Sequence, residues 1–203
     1  MFSECVILFS HLAKIWNMKC PGISREFFLL LVCLFIWSSS PAQNYYRVED
    51  GTIDFRSDAP LELIEASSGN LRGIINPEDN TFAFAVRAST FQGFNSPLQR
   101  EHFNENYLES KKYPEATFTG KIIEHIDLSQ PGNYTIRAKG KLNVHGVEQE
   151  RIIKSEVVSS GNTLEVSSNF TVLLEEHNIR IPKIVYQKIA EEIQVHIHAT
   201  LSN

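Results

Sequence analysis

Two histidines near the end of the chain have the spacing of a metal-binding pair on a strand. His196 and His198 are separated by one residue, so both side chains lie on one face of an extended segment, and histidine is a common zinc ligand. No third ligand can be assigned from spacing, and both histidines lie opposite the apolar side chains of the same segment. Solvated side chains are therefore the better interpretation, and we predict no metal site.

Motifs of hydrolases and phosphate-binding enzymes are missing from the sequence. It contains no G-x-S-x-G nucleophile motif, no H-E-x-x-H zinc motif and no glycine-rich phosphate loop. Its three cysteines, Cys5, Cys20 and Cys33, all precede residue 40, which leaves no thiol nucleophile in the rest of the chain. Paired carboxylates such as Glu175 and Glu176 fall at the ends of predicted strands and resemble solvated charge. We therefore predict that the protein is not an enzyme and uses no cofactor.

Arg100 and His102 are candidate contacts to the polar head group of a ligand. They lie in residues 95–112, where apolar side chains recur with helical spacing, and Ser96-Pro97 can provide the cap and first turn. We predict one helix here, near residues 96–110, between two strands. If this helix covers a cavity, both side chains can reach a bound head group; a hydrogen-bonded structural role is the alternative for His102.

The elements that must position this helix are strands. Apolar or small residues alternate with polar ones throughout residues 134–145, and a period of two is that of a β-strand. The apolar face of this strand consists of Tyr134, Ile136, Ala138, Gly140, Leu142 and Val144. Because Ala138 and Gly140 fill little volume, the strand predicts either a tight bend or an interior with room for a ligand.

Similar alternation predicts the other strands. They fall at residues 81–88, 164–174 and 192–201, with shorter candidates at residues 45–49, 52–57, 70–75, 116–126 and 147–159. Turn residues such as Asp50-Gly51 separate them, and residues 181–191 have the pattern of a short helical connection. About eight strands joined by short turns predict an all-β, antiparallel barrel or sandwich.

The beginning of the chain has the pattern of a secretory signal peptide. Within residues 1–42, positive charges precede the unbroken apolar run 27–37, and small residues follow it up to Ala42. Eleven apolar residues are too few for a membrane-spanning helix, which needs about 20. We expect cleavage after Ala42 and a periplasmic or secreted protein. Met18 is a second candidate start, which would make residues 1–17 a mis-assigned extension.

The remaining segment, residues 43–203, has the size of one domain. It contains no cysteine and carries 16 basic against 22 acidic residues. This acidity argues against nucleic acid, and against an anionic membrane as a direct electrostatic partner. It does not argue against a lipid held inside the protein.

Two segments resemble a known family. Residues 99–122 (QREHFNENYLESKKYPEATFTGKI) and residues 140–150 (GKLNVHGVEQE) resemble the arginine–histidine helix, tyrosine–proline turn, threonine–phenylalanine strand and His-Gly-Val hairpin of the YceI-like, polyisoprenoid-binding family. Glu148 stands where threonine is frequent, and residues 71–75 are a compact substitute for a longer first half. The resemblance implies an eight-stranded, lipocalin-like antiparallel barrel that is exported and holds a long isoprenoid or similar lipid.

The resemblance also implies that the apolar strand faces form the wall of a lipid cavity. The candidate wall residues are Phe82, Phe84, Val86, Phe118, Ile136, Gly140, Leu142, Val144, Phe170, Val172, Val195 and Ile197. The expected ligand is a polyisoprenoid, an isoprenoid quinone or a fatty-acid derivative, carried or stored after transient contact with a membrane. The alternative is an exported stress-protection or protein-interaction barrel filled by its own side chains, because an apolar stripe on a strand is core by default. Oligomeric state stays open, with a dimer among the candidates.

Overall fold

Nine antiparallel strands form the fold of residues 45–203, the part of the chain that the structure, a computed structural model, describes. The predicted signal peptide lies outside the described residues. The strands are β1 (Tyr46–Asp58), β2 (Leu63–Ser68), β3 (Arg72–Asn76), β4 (Thr81–Arg87), β5 (Glu115–Ile122), β6 (Gly132–Val144), β7 (Val147–Ser159), β8 (Thr163–Leu173) and β9 (Glu192–Ser202). One α-helix, α1 (Pro97–His102), continues into a π-helical turn (Phe103–Tyr107), and 3-10 turns occur at Ala88–Thr90, Leu174–His177 and Lys183–Val185.

The sheet closes on itself because β1 pairs with neighbours on both edges. One edge pairs with β9, and the other pairs with β3 near Tyr46 and with β2 from Ile53 to Asp58. Strands β2 and β3 therefore share one strand position, and the remaining strands pair in sequence order from β3 to β9. The predicted eight-stranded antiparallel barrel is confirmed, and the outer edge of β2 carries only one isolated bridge, between Ser67 and Gln92.

The alternation in β6 is present in the barrel as predicted. Ile136, Ala138 and Leu142 are buried, whereas Arg137 and Lys139 between them are exposed. The opposite faces of one strand thus separate an apolar interior from solvent.

Two features of the first strands were not predicted correctly. Asp50-Gly51 is not a turn, because it continues β1 through a bulge at which the register shifts between Val48 and Asp50. A Cβ on Gly51 would lie 2.8 Å from Cγ1 of Val48, so the glycine allows close packing. Strand β2 was missed, since its buried positions include the small residues Ala66 and Ser68, which give a weak apolar signal.

Both helical predictions are confirmed, the first as a helix and the second as a single short turn. Ser96 caps α1 by accepting a hydrogen bond from the backbone N–H of Gln99, and Pro97 occupies the first turn. Residues 181–191 contain the short 3-10 turn Lys183–Val185 as their helical connection.

The two ends of the barrel are built differently. At the closed end, Leu128 is only 1% exposed, and its carbonyl accepts a hydrogen bond of 2.6 Å from Ser159 Oγ. Tyr46 Oη donates to the carbonyl of Gly161 there, also at 2.6 Å. The mouth, at the other end, is surrounded by the β1–β2 turn, α1, the β6–β7 hairpin and the long β8–β9 connection.

Candidate ligand-binding cavity

Two apolar cavities follow one another along the barrel interior. The mouth cavity has a volume of about 430 Å³, and the inner cavity beneath it about 90 Å³. They share the wall residues Ile53, Val86, Ala116, Leu142 and Phe170. The mouth cavity alone falls within the range of roughly 300–1,000 Å³ that small-molecule sites occupy, and the inner cavity extends it toward the closed end.

The inner cavity has aromatic and aliphatic walls and one polar pair. The rings of Phe82 and Phe118, on adjacent strands, lie 4.9 Å apart between centroids. Ser155 and Ser168 also line the cavity, and their hydroxyl oxygens are 2.6 Å apart in a buried cross-strand hydrogen bond. This bond satisfies part of the hydrogen-bonding capacity of the two serines. The rest of the cavity wall is mainly apolar.

The mouth cavity is covered by α1 and its π-helical turn, which together we call the lid. Phe103 from the lid stacks on Phe55 of β1 at 5.3 Å between centroids, and it contacts Phe94 at 5.0 Å. Leu98 and Tyr107 of the lid also face the cavity. Aromatic packing of this kind buries large apolar area with defined geometry, so the lid is held down on the barrel by its own apolar face.

The charged and polar side chains at the mouth are paired with one another. Glu62 accepts a hydrogen bond of 2.9 Å from Gln99 Nε2 of the lid, and Lys188 Nζ lies 4.0 Å from the other carboxylate oxygen of Glu62. Burial raises the pKa of Tyr107, which keeps its phenol protonated and able to donate. The mouth therefore offers hydrogen bonds without an uncompensated charge.

The lid is tied to the barrel beyond the mouth cavity by a histidine in the β6–β7 hairpin. His145 Nε2 is 2.7 Å from Glu109 Oε2, directly after the lid, and His145 Nδ1 is 3.1 Å from the carbonyl of His177. His177 is fully buried, and desolvation, followed by the nearby Arg151, lowers its pKa. These contacts join the segment after the lid, the β6–β7 hairpin and the β8–β9 connection at the mouth end.

A comparison with protein-family models matches residues 51–201 to the YceI-like domain. The chain belongs to the YceI-like family. This match covers the barrel from β1 into β9, and it confirms the family resemblance seen in residues 99–122 and 140–150. A comparison with curated proteins found no match.

Solved structures with the same fold include three bacterial proteins. A polyisoprenoid-binding domain from Saccharophagus degradans, implicated in plant cell wall breakdown, has a TM-score of 0.68 and 13% identity, covering 77% of this chain and 97% of that one. Burkholderia cenocepacia BcnA has a TM-score of 0.61 and 16% identity, with coverage of 74% and 95%. The Campylobacter jejuni YceI protein has a TM-score of 0.54 and 14% identity, with coverage of 69% and 85%. At these identities the likeness concerns the fold.

Eleven of the twelve predicted wall residues line this YceI-like interior. Phe82, Phe84, Val86, Phe118, Ile136, Leu142, Phe170 and Ile197 line the inner cavity, and Val86, Leu142, Val144, Phe170, Val172 and Val195 line the mouth cavity. Their contact with a lipid stays a prediction.

Gly140 is the exception among the predicted wall residues. It lines neither cavity and pairs directly with Gly120 on the neighbouring strand. A Cβ on Gly140 would collide with the backbone carbonyl of Thr119. The glycine therefore permits a close approach of two backbones, and its small size leaves no room for a ligand.

The two predicted head-group residues have different positions in the YceI-like barrel. His102 lines the mouth cavity, as its placement on a covering helix predicted. Arg100 does not, because its guanidinium donates a hydrogen bond of 2.9 Å to the carbonyl of Ser89. This bond attaches the lid to the 3-10 turn before it, and contact of Arg100 with a head group stays a prediction.

Several residues of the mouth have no signal in the sequence. Phe91 and Phe94 lie in an irregular segment without periodicity, and Glu62 contacts Gln99 across 37 positions of the chain. Only their contacts in the folded barrel identify them as parts of the cavity.

The predicted histidine pair on β9 is exposed. His196 Nδ1 lies 2.7 Å from Asn169 Oδ1 on the adjacent strand. Within residues 45–203, no group of three or more His, Cys, Asp or Glu side chains is arranged to hold a metal ion. In the same residues, no helix is both long and apolar enough to cross a bilayer.

Proposed function

We propose that this YceI-like barrel is a non-enzymatic binding protein that holds a long hydrophobic chain as a carrier or store. The observation that carries this proposal is the pair of adjacent apolar cavities, which share five wall residues and lie between the mouth and the packed closed end. A polyisoprenoid-binding domain with the same fold supports an isoprenoid as the chain.

The energetics favour reversible exchange of the ligand with a membrane. Removing a five-carbon isoprene unit from water is worth about 4 kcal/mol at about 0.8 kcal/mol for each methylene. A bilayer interior is as apolar as the cavity, so most of this gain cancels when the chain passes between the two. The barrel therefore acts as a carrier whose loading follows the lipid content of the membrane.

The geometry supports a ligand that enters tail first. The closed end is filled by Leu128 and its neighbours, while the polar groups Glu62, Gln99 and Lys188 line the mouth. The tail of the ligand lies in the inner cavity, and its polar end stays beneath the lid.

The charges at the mouth support an uncharged polar end. Lys188 Nζ lies 4.0 Å from Glu62, which also accepts from Gln99, so the two opposite charges offset each other in part. A buried charge without a partner is unfavourable, whereas a hydroxyl or carbonyl group can use the hydrogen bonds present. Among the expected ligands, an isoprenoid alcohol or quinone fits this rim better than a fatty acid.

Export through an N-terminal signal peptide belongs to the same proposal. The pattern of residues 1–42 supports it, and N-terminal sequencing of the protein recovered from the periplasm or medium tests it. We expect Gln43 as the first residue. Recovery of the uncleaved chain from the cytoplasm would contradict export and leave lipid binding unaffected.

The direct test of the ligand is denaturing solvent extraction of the purified protein, followed by mass spectrometry. We expect a stoichiometric long-chain species with an uncharged polar end. Binding of added farnesol, measured by calorimetry, gives an independent result. If extraction yields no lipid and farnesol does not bind, the barrel is not a lipid carrier.

A matched pair of variants tests whether farnesol binds in the barrel interior. Ala116→Phe adds a ring where the two cavities meet and should abolish farnesol binding. Lys139→Phe adds the same ring on the exposed face of β6 and should bind as the unmodified protein does. Equal loss in both variants would place the binding site outside the cavity.

A further inference from the structure

The central part of the connection between β8 and β9 is basic, although Glu175, Glu176 and Glu191 near its two ends leave the whole connection, residues 174–191, without net charge. Its residues 179–190, which we call the basic loop, have the sequence IRIPKIVYQKIA, with Arg180, Lys183, Lys188 and no acidic residue. Residues 43–203 as a whole have six more acidic than basic residues. Within residues 45–203, neither Arg180 nor Lys183 forms an ion pair. These two cations are therefore available to an external anionic surface.

The basic loop has an apolar outer side as well as an apolar inner side. Ile179, Val185 and Ile189 line the mouth cavity. Ile184 is 91% exposed and Tyr186 is 55% exposed. An almost fully exposed isoleucine gains nothing from folding by burial, so its stabilising contact, if any, lies outside the barrel.

Two further exposed side chains border the same opening. Leu61, at 67% exposure, is joined to the basic loop by a hydrogen bond of 2.9 Å from its N–H to the carbonyl of Gln187. Leu98 of the lid is 58% exposed and lines the mouth cavity. Together with Ile184 and Tyr186 they form what we call the apolar rim.

We propose that the apolar rim docks the mouth of the barrel on an anionic bilayer. This inference rests on the proposed function, because a hydrophobic ligand must pass between the membrane and the mouth. Aliphatic side chains enter the boundary between head groups and acyl chains, and tyrosine favours the interface. Each cation near the surface of an anionic membrane contributes about 1 kcal/mol. Arg180 and Lys183 supply two such cations although the domain as a whole is acidic.

The position of the apolar rim identifies a bilayer as its partner. The rim borders the opening of the apolar cavity, and the lid and the basic loop both contribute residues to the cavity wall. Docking therefore makes the membrane interior continuous with the cavity. The ligand can then transfer without exposing its chain to water.

Co-sedimentation with phosphatidylcholine vesicles, with and without phosphatidylglycerol, tests the docking. The double variant Ile184→Ser/Tyr186→Ser should lower binding to the mixed vesicles by about tenfold or more, because it removes two inserting side chains. The control Ile152→Ser/Val158→Ser removes two exposed apolar side chains from the outer face of β7 and should not change binding. Equal binding by the unmodified protein and the rim variant would overturn the proposal.

A second double variant tests the electrostatic contribution to membrane binding. Arg180→Gln/Lys183→Gln should weaken binding only to the vesicles that contain phosphatidylglycerol, and it should reduce the salt dependence of that binding. The same loss on pure phosphatidylcholine would contradict a role for charge.

Farnesol separates a failure of docking from a failure of lipid binding. The rim variant should bind dissolved farnesol as the unmodified protein does, because Ile184 and Tyr186 do not line the cavity. It should extract a fluorescent farnesyl ester from vesicles more slowly. If the unmodified protein binds no farnesol, the proposed function fails. If it binds farnesol and the rim variant extracts the ester at the unmodified rate, only the docking proposal fails.

Discussion

The closed end and the mouth of the barrel use the same strands for different purposes. At the closed end, Tyr46, Leu128 and Leu164 are almost completely buried, and two hydrogen bonds of 2.6 Å join the loops to the strands. At the mouth, the strand residues that point inward, such as Val144 and Val195, are only partly buried and face a cavity of about 430 Å³. The closed end is therefore tightly packed, whereas the mouth contains most of the cavity volume.

This difference has a physical basis in a domain without disulfides. The described residues contain no cysteine, so burial and hydrogen bonding must stabilise the barrel. An unfilled apolar cavity lowers stability because its wall loses packing contacts. A tightly packed closed end offsets the cost of the cavity at the mouth.

The largest effect should come from the closed end. Leu128→Ala should lower the free energy of unfolding by about 2–5 kcal/mol, as for other truncations of buried leucines. Val195→Ala, beside the mouth cavity, should cost clearly less, because its side chain is already poorly packed. Denaturant titration of the ligand-free protein measures both. Equal losses would remove the distinction between the two ends.

Gly140→Leu should be the next most disruptive change. Its side chain would collide with the backbone of β5, and strain from overpacking typically costs about 1–3 kcal/mol. The expected result is a lower denaturation midpoint with farnesol binding retained by the folded fraction. Loss of farnesol binding at unchanged stability would instead place Gly140 in the cavity wall.

Acidification should weaken the mouth end through His177. Burial holds the pKa of this histidine below its usual value, so in acid the unfolded chain takes up a proton before the folded protein does. The free energy of unfolding should fall as the pH drops below about 6.5, until His177 is also protonated in the folded state. His177→Gln should flatten this part of the pH profile, measured by denaturant titration. An unchanged slope would exclude His177 as the group responsible.

The smallest effect on stability should come from the apolar rim. Ile184→Ser should change the free energy of unfolding by no more than about 0.5 kcal/mol, as for most surface substitutions, while reducing vesicle binding. Thermal unfolding and co-sedimentation give the two results from one preparation. A large loss of stability would indicate that Ile184 packs against the barrel and is not available to a membrane.

The sequence predicts the barrel well where one strand face is apolar and the other polar. In β6, alternation alone assigns inside and outside, and in β8 and β9 it does the same. It fails for β2, where small and polar residues occupy buried positions, and for the bulge in β1, where Asp50-Gly51 has the composition of a turn. In both places a neighbouring strand decides the structure, and local sequence carries little information about that neighbour.

The side chains of the cavity wall were predictable from strand parity, but the cavity itself and its entrance were not. Parity identifies side chains that point inward without telling a filled core from a cavity. Whether space remains depends on how the lid and the basic loop pack, and the pairing of Glu62 with Gln99 and Lys188 joins residues that are far apart in the chain. Gly140 illustrates the same limit, since a small inward residue can reflect either space or contact between backbones.

The two attachments of the lid determine how a ligand can enter. Arg100 holds the lid to Ser89, and Glu109 directly after it holds to His145, so a swinging motion of the whole helix would break both. On the other side, Gln99 of the lid donates to Glu62 in the β1–β2 turn, and Asn95 just before the lid donates to the carbonyl of Leu63. Opening the lid on this side requires the loss of these two side-chain hydrogen bonds and of the packing of Phe103 on Phe55. If the barrel carries a lipid as proposed, entry between the lid and the β1–β2 turn leaves the attachments of the lid to Ser89 and His145 intact.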